Sequence, residues 1–297
     1  MVRVRKNNVD EGPKLYVCST PIGNLSDTSD RLLSTLRSVD IVACEDTRHT
    51  RKLLTHFDIH PPRVISYHQH NEQSRQEFVM EMWDAGQSVA LVSDAGTPLL
   101  SDPGAILVDT AIERGVPVIP IPGPSALMAA LVGSGLPMTP FLYLGFPPRQ
   151  TKAAKSWLGD FVNIQATLVI YEAPHRLTAT LQFLADALGD KPAVLAKELT
   201  KQHETFVWGS LVELVSYSNE VAAKGEYVIL VNNRGERVTT GTDADAGTPG
   251  EDAWEQAVQY VVDKIEQGMR HKEAVQEAAA RFAVNRRDLY NATIRTD

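Results

Sequence analysis

The chain has 297 residues, of which 43% are hydrophobic and 22% charged, a composition typical of a globular protein with room for two domains and an appendage. No apolar run reaches the ~20 residues that span a bilayer, and the basic start of the chain lacks the apolar stretch of a signal peptide. We therefore expect neither a transmembrane helix nor a signal peptide. The formal net charge of −8 argues against indiscriminate coating of nucleic acid, although it leaves room for a local basic patch.

The two cysteines, Cys18 and Cys44, each lie in a short apolar run with the composition of a strand. Two buried thiols of a cytosolic protein fit this placement better than a disulfide does. We therefore expect a cytoplasmic protein.

Residues 1–122 alternate between short apolar runs and segments of helical spacing. This alternation predicts a first α/β domain with parallel strands in a covered sheet. The expected strands are Leu15–Cys18, Ile41–Cys44, Arg63–Ser66, Ser88–Ser93 and Val116–Pro120. Before the last strand, Asp102 as an N-cap and Pro103 in the first turn predict the start of a helix.

Residues 123–231 contain a second group of strands, some of which follow each other closely. Close succession favours a mixed sheet over a purely parallel one, so we expect a second α/β domain of this kind. The expected strands are Phe141–Phe146, Thr167–Tyr171, Ala193–Ala196, Thr205–Trp208 and Glu226–Val231.

The character of the sequence changes after the last of these strands. Residues 232–250 hold few large apolar side chains and many Gly, Thr and Asp, which predicts a flexible linker. Residues 251–297 show three stretches of helical apolar spacing, which predict a small helical module.

Gly and Pro follow three of the first domain's strands, at the edge where open α/β sheets bind ligands. After the first strand, Pro21 and Gly23 indicate either a ligand loop or a plain turn. After the fourth, Asp94 is either a ligand contact or a turn former, and Gly96 lets a polar ligand approach closely. The GxGxxG and Walker fingerprints are absent, which disfavours a nicotinamide or nucleoside triphosphate cofactor.

Charged residues follow two other strands. Residues 45–52, Glu-Asp-Thr-Arg-His-Thr-Arg-Lys, are typical of a capped, solvated helix start, or alternatively of a phosphate-contacting edge beside a catalytic carboxylate. In the second domain, His175 and Arg176 fall in the first turn of a helix, where cations oppose the macrodipole, and this unfavourable choice indicates a function. Residues 120–126, with three prolines around Gly123, predict either a stiff connection between the domains or a binding wall at their interface.

Residues 67–71, Tyr-His-Gln-His-Asn, carry two histidines with no third metal ligand in view. A protein zinc site needs at least three such ligands. We therefore expect no metal.

Seven segments, in this order along the chain, resemble the tetrapyrrole methylase superfamily, the class III S-adenosylmethionine-dependent methyltransferases. Within it they are similar to the bacterial branch that methylates small-subunit ribosomal RNA. The resemblance spans roughly residues 14–231 and continues into the C-terminal helices. The segments are Pro21–Leu25, Glu45–Arg48, Ser93–Pro103, Pro122–Ala126, Ser134–Pro137, Tyr171–Leu177 and Glu198–Lys201.

The resemblance implies a two-domain α/β tetrapyrrole-methylase fold with an S-adenosylmethionine cleft between the domains, plus the helical module. It also implies a homodimer. Residues 93–96 read Ser-Asp-Ala-Gly where the small-molecule branch reads Gly-Gly-Asp-Pro, and the ribosomal RNA branch shares that departure. The cofactor contacts that the resemblance assigns by motif are Pro21, Asp94, Thr97, Ser125, Ala126, Glu172 and Leu199.

The activity that the resemblance implies is 2′-O-methylation of a cytidine in the decoding region of 16S ribosomal RNA, free or in the small ribosomal subunit. A ribose hydroxyl is a poor nucleophile, so a general base would assist the reaction. The candidate bases are Glu45, Asp46 and His175. The candidate RNA contacts are Arg48, Arg51, Arg176, Arg286 and Arg287.

Two other functions stay open at this point. A methylase acting on a porphyrin-like ring would share the fold and the cofactor, but it would not need the charged segments at residues 45–52 and 171–176 or the appended module. A non-catalytic RNA-binding assembly factor would need no cofactor cleft. Residues 268–297 carry six Lys/Arg against four Asp/Glu, which indicates either an RNA contact or an ordinary solvated helical face.

Overall fold

Ten strands and eleven α-helices are present in the computed structural model, which describes residues 12–221, 224–235, 251–266, 268–282, 284 and 286–293. All ten expected strands are confirmed, with ends that differ from the prediction by at most two residues. Contacts within the chain divide it into two units, residues 1–236 and residues 237–297.

The elements of the first unit form two groups. The first group comprises β1 (Leu15–Cys18), α1 (Asp30–Ser38), β2 (Ile41–Cys44), α2 (Thr47–His56), β3 (Arg63–Ser66), α3 (Glu72–Asp84), β4 (Val89–Val92), α4 (Ala105–Arg114) and β5 (Val118–Ile121). The second group comprises α5 (Ala126–Ser134), β6 (Phe141–Gly145), α6 (Thr151–Gly159), β7 (Thr167–Glu172), α7 (Leu177–Leu188), β8 (Pro192–Lys197), β9 (Thr205–Ser210), α8 (Leu211–Glu220) and β10 (Tyr227–Asn232).

The first sheet is fully parallel and has the strand order β3-β2-β4-β1-β5. Along β1, Leu15 and Val17 belong to one hydrophobic cluster, whereas Cys18 belongs to the cluster on the other face. This two-residue alternation buries both faces under helices, as expected for a parallel sheet. Cys18 and Cys44 are both buried free thiols, as predicted.

The second sheet is mixed, as predicted, and has the order β6-β7-β10-β8-β9. Only β6 and β7 run parallel, and the other neighbours are antiparallel. Helix α5 packs on one face through Leu127, Ala130 and Leu131, and α7 and α8 cover the opposite face. Ile22, from the loop after β1, joins the cluster around α5, so the two sheets of the first unit share apolar contacts.

The predicted start of the helix after β4 is wrong. Helix α4 begins at Ala105 with Gly104 as its N-cap, two residues later than the Asp102-Pro103 pair indicates. The backbone reverses before the helix through left-handed conformations at Leu99 and Ser101, with φ of 75° and 66°. Asp102 therefore precedes the N-cap, and its carboxyl group is influenced by the Ser93 side chain, which lowers its pKa against the effect of burial.

The first residues of the expected linker belong to the body of the second sheet. The Asn233 side chain is buried, and its Nδ2 donates to the carbonyl oxygens of Val162 and Ile164, each at 2.9 Å. Residues 236–250, the remainder of the expected linker, lie outside the described residues.

The second unit contains α9 (Glu251–Glu266), α10 (His271–Phe282) and α11 (Arg286–Thr293), in agreement with the three predicted helical stretches. Buried Ala257, Val261, Ala278 and Leu289 form its own apolar core. Within the described part of the chain, no helix is both long enough and apolar enough to span a bilayer.

Candidate functional site

A cavity of about 400 Å³ lies between the two sheets of the first unit. The loop after β4 forms one wall, residues 125 and 126 at the start of α5 form another, and the end of β7 with the start of β10 closes the third. The carboxyl edge of the first sheet therefore faces the second sheet across this cavity, which is where doubly wound sheets place their ligands.

The loop after β4 is tied to the loop after β1 by a small backbone bridge. Thr20 N donates to Gly96 O at 2.9 Å, and Gly96 N donates to Thr20 O at 3.1 Å. Gly96 has φ of 84°, and a Cβ at this position would lie 3.3 Å from Ile22 Cγ2. Glycine satisfies both the left-handed backbone and the close approach.

The Thr97 hydroxyl joins three loops. It accepts a hydrogen bond from Ser19 Oγ at 3.0 Å and donates one to the Pro124 carbonyl at 3.2 Å. Because Thr97 also lines the cavity, its hydroxyl fixes the wall in shape.

The neighbouring Ser125 hydroxyl also lines the cavity but is buried without a hydrogen-bond partner among the described residues. A buried hydroxyl without a partner is costly, so Ser125 is suited to bind a polar group of a ligand.

The second sheet supplies a fully buried carboxylate. Glu172 Oε1 accepts from Ala173 N at 2.8 Å, and Oε2 accepts from Thr180 Oγ1 at 2.5 Å. Arg176 lies on the same carboxylate, with Nε 3.6 Å from Oε1, and also donates to the Pro147 carbonyl at 2.8 Å. The Arg176 side chain, which is 23% exposed, is thus held against Glu172, a lining residue of the cavity.

An aromatic group forms the apolar side of the same wall. The ring of Tyr171 packs edge-on against Tyr143 at 5.0 Å and against Phe146 at 5.6 Å between centroids. The Tyr143 hydroxyl lies 2.7 Å from Ser101 Oγ in the loop after β4. These contacts place aromatic surface beside the polar groups, as in most small-molecule sites.

Three carboxylates of the first sheet lie close together. Burial, followed by the charges of Glu45 and Asp94, raises the pKa of Asp102 to about 6, although a hydrogen bond with Ser93 acts in the opposite direction. Burial, followed by the charge of Asp94, also raises the pKa of Glu45. Both Glu45 and Asp102 are therefore better proton acceptors near neutral pH than an ordinary carboxylate.

The pKa of Asp46, in contrast, is lowered. Its carboxylate caps α2 by accepting from Arg48 N at 2.8 Å and pairs with the Arg48 guanidinium at 2.7 Å. Hydrogen bonds from the Arg48 side chain and backbone hold the pKa of Asp46 well below its usual range. Asp46 is therefore a weak proton acceptor.

The structure brings together most of the predicted cofactor residues. Pro21 lies instead on a smaller adjacent cavity, and Leu199 is buried in the core next to Ile22. The predicted residues that line the larger cavity are Asp94, Thr97, Ser125, Ala126 and Glu172.

The candidate base His175 is exposed and directly follows Pro174, which lines the larger cavity. Arg48 and Arg51 are exposed on α2. The side chains of Arg286 and Arg287 lie outside the described residues.

Sequence reasoning did not identify Ile22, Tyr171 and Val228 as lining residues or Asp102 as a titrating group. Ile22 and Tyr171 lie inside two of the seven segments that carry the family resemblance. Their position next to predicted contact residues could therefore have identified them as lining residues. Asp102 was missed because Asp-Pro before an apolar helix is also the pattern of an N-cap.

The cavity suits the cofactor that the resemblance implies. Its surface is predominantly apolar, with aromatic rings on one wall, and its polar groups include the unpartnered Ser125 hydroxyl and the Asp94 carboxylate. An adenosyl group needs apolar surface with few polar contacts, and the cationic sulfonium and ammonium groups are stabilised near carboxylates. Among the described residues no group of three His, Cys, Asp or Glu side chains could hold a metal ion.

Sequence comparison assigns most of the chain to one family. The family described as Tetrapyrrole (Corrin/Porphyrin) Methylases matches residues 14–215. Ribosomal RNA small subunit methyltransferase I of Halalkalibacterium halodurans is 43% identical over 95% of this chain and 95% of its own length. The protein of the same name from Bacillus subtilis is 40% identical over 94% of this chain and 93% of its own length.

Solved structures show the same fold at low sequence identity. Diphthine synthase is 17% identical with a TM-score of 0.59 and covers 74% of this chain and 90% of its own. Uroporphyrin-III C-methyltransferase from Thermus thermophilus, complexed with S-adenosylhomocysteine, is 20% identical with a TM-score of 0.52. It covers 75% of this chain and 98% of its own. The chain therefore belongs to the tetrapyrrole methylase family, and within it to the group formed by ribosomal RNA small subunit methyltransferase I.

Proposed function

We propose that the chain transfers the methyl group of S-adenosylmethionine to the ribose 2′-hydroxyl of a cytidine in the decoding region of 16S ribosomal RNA. The cavity between the sheets, with its unpartnered Ser125 hydroxyl, is the observation that carries the proposal. The names of the similar proteins specify small-subunit ribosomal RNA as the substrate of those proteins. The proposal places the chain in the cytoplasm, with its substrate.

The proposal is tested by nucleoside mass spectrometry of 16S ribosomal RNA from a strain that lacks the gene. We expect the loss of one 2′-O-methylated cytidine and its return when the wild-type gene is supplied. An unchanged set of methylated nucleosides would refute the proposed function.

The chain's own residues have two tasks in this reaction. When bound, S-adenosylmethionine supplies an electrophilic methyl group. The walls at Thr97 and Ser125 hold the ligand in one orientation, because alignment of donor and acceptor removes much of the barrier. A carboxylate then accepts the proton that leaves the ribose hydroxyl, a contribution of about 10²–10⁴-fold.

A bulky residue at position 126 tests the cofactor cavity. We expect Ala126→Phe to raise the Kd for S-adenosylmethionine at least tenfold, because the added ring occupies the wall beside Ser125. Calorimetric titration measures the change. Ala153→Phe is the matched control, since Ala153 is exposed on α6 away from the cavity. Wild-type affinity in a folded Ala126→Phe protein would remove this cavity as the cofactor site.

Among the candidate bases, Glu45 is favoured over Asp46, because Arg48 holds Asp46 ionised. Asp102 joins Glu45 as a candidate, since it lines the cavity and has a raised pKa. His175 remains a candidate through its place beside Pro174. Because Glu45 and Asp102 interact, their titration belongs to the pair rather than to either residue.

The pH dependence of single-turnover methylation tests the carboxylate pair. A general base must be unprotonated, so a pKa of about 6 for Asp102 predicts a rate that is full above pH 7 and falls about tenfold per pH unit below pH 6. We expect Asp102→Asn to lower the rate at pH 8 by about 10²-fold and to shift or abolish this acid limb. Asp109→Asn, which changes an exposed carboxylate on α4, is the control. A wild-type rate and acid limb in Asp102→Asn would exclude Asp102 as the base.

Contacts to the RNA backbone are proposed for the basic face of α2 and for the second unit. Arg51 is exposed on α2 and forms no ion pair within the described part of the chain. Arg176 already contacts Glu172 and the Pro147 carbonyl. It would therefore contribute to RNA binding indirectly, by holding residues beside the cavity in place. Arg286 and Arg287 stay predictions for the second unit.

The homodimer is proposed on a patch of the first unit. Met128 and Val132 lie one turn apart on α5 and are 43% and 66% exposed, and the 60% exposed Trp208 donates through Nε1 to the Ser134 carbonyl at the end of the same helix. Phe206 stacks beneath Trp208 at 5.7 Å. An exposed apolar patch of this kind marks an association surface.

Sedimentation tests this surface. We expect the wild-type chain to sediment as twice 32.6 kDa and Val132→Glu to sediment as a monomer, because the new carboxylate would be buried without a partner. Ile112→Glu on α4, where the side chain is 46% exposed, is the control and should leave the mass unchanged. A monomeric wild-type chain would contradict the proposed dimer.

A further inference from the structure

A second cavity, of about 200 Å³, lies beside the larger one. The loop after β1 forms one side through Pro21, Gly23 and Leu25, and α2 forms the other through His49, Thr50, Lys52 and Leu53. We call this space the α2 cavity. None of the roles described so far uses it.

The α2 cavity and the larger cavity share Asp94 as a wall residue. Asp94 is held in place there because its Oδ1 accepts a hydrogen bond from Asp46 N at 3.0 Å. Two ligands, one in each cavity, would therefore approach each other on the two sides of Asp94. A group-transfer reaction between two substrates requires such a meeting point.

The lining of the α2 cavity combines apolar side chains, the Lys52 ammonium group and the shared Asp94 carboxylate. Leu25 is 41% exposed at its edge, and Leu53 is half-buried beside it. Lys52 is exposed and forms no ion pair within the residues that the structure describes, and His49 is exposed one turn earlier. Helix α2 contains no acidic residue, although the whole chain carries a net charge of −8.

A ligand that satisfies this lining has an apolar face and a negative charge. A nucleotide has both, because a base offers a face that packs on apolar side chains and the phosphate pairs with lysine. A protein segment with acidic side chains would satisfy Lys52 but would leave the apolar surface of Leu25 and Leu53 unused.

The loop that closes the α2 cavity is fixed before any ligand binds. A Cβ at Gly23 would lie 2.4 Å from the Lys201 side chain, so the loop packs directly on that residue. Lys201 Nζ is in turn bound to Glu198 Oε1 at 3.0 Å and to Glu226 Oε2 at 3.1 Å. A preformed wall lowers the entropy lost on binding.

We propose that the α2 cavity holds the target nucleotide of the RNA, with its base against Leu25 and Leu53, its phosphate at Lys52 and its ribose hydroxyl directed past Asp94 into the larger cavity. This inference rests on the proposed function and adds the position of the acceptor. It separates the cofactor cavity from the nucleotide cavity, so substitutions in the α2 cavity change methylation without changing cofactor affinity.

The test compares Lys52→Ala and Leu25→Ser with wild type, using small ribosomal subunits from a strain that lacks the gene. Both side chains are exposed, so both variants should fold. For Lys52→Ala we expect at least a tenfold rise in KM and a fall of about one in the slope of log affinity against log salt, because one phosphate contact is lost. For Leu25→Ser we expect at least a fivefold fall in kcat/KM with an unchanged salt slope, because a base contact is lost.

The Kd for S-adenosylmethionine should stay within twofold of wild type in both variants, and Lys152→Ala on α6 controls for the loss of an exposed lysine elsewhere. Wild-type kinetics in either Lys52→Ala or Leu25→Ser, or a Lys152→Ala effect equal to that of Lys52→Ala, would overturn the inference and leave the proposed function standing. A wild-type protein that methylates no small-subunit RNA would instead overturn the proposed function, and the inference with it.

Discussion

The site depends on how three loops at the carboxyl edge of the first sheet are fastened to one another. The Thr97 hydroxyl links Ser19, after β1, to the Pro124 carbonyl, after β5, and the Thr20–Gly96 backbone bridge closes the same junction. All of these groups lie in or beside loops, which in most proteins are the most mobile segments. Here the hydrogen bonds convert them into a rigid surface against which a ligand can be aligned.

Burial of charge is the second constraint on the site. The charge of Asp94 raises the pKa of both Glu45 and Asp102, and such a concentration of negative charge is unfavourable in a protein without a ligand. A cationic ligand relieves this repulsion. In the proposed function, the same arrangement that costs stability favours the cationic cofactor and supplies a proton acceptor, and such a conflict between stability and activity is typical of functional sites.

Much of the fold could be predicted from the sequence because the apolar runs are short, strongly patterned and bounded by Gly, Pro or charged residues. The mixed second sheet followed from the short spacing between its strands, since antiparallel neighbours need no crossover helix. The start of α4 could not be predicted, because the left-handed conformations at Leu99 and Ser101 fall on residue types that seldom adopt them. Asp102 was assigned as an N-cap, because Asp-Pro before an apolar helix is the usual pattern of one.

The candidate site could be predicted where a polar residue follows a strand within a recognisable motif. Asp94, Ser125 and Glu172 came together on one cavity as expected from their motifs. The depressed pKa of Asp46 and the internal engagement of Arg176 depend on partners that only the folded chain reveals. A sequence pattern states which charges are present, whereas the fold decides which of them are already neutralised.

The rim of the larger cavity has a consequence for how the protein responds to ionic strength. Arg176 bridges the fully buried Glu172 carboxylate and the Pro147 carbonyl next to exposed Phe146, and because the Arg176 side chain is only 23% exposed, this ion pair is largely removed from solvent. Exposed lysine and arginine contacts to phosphate weaken steeply as salt rises, whereas buried pairs are screened much less. The rim of the larger cavity should thus keep its shape at salt concentrations high enough to dissociate a bound nucleic acid.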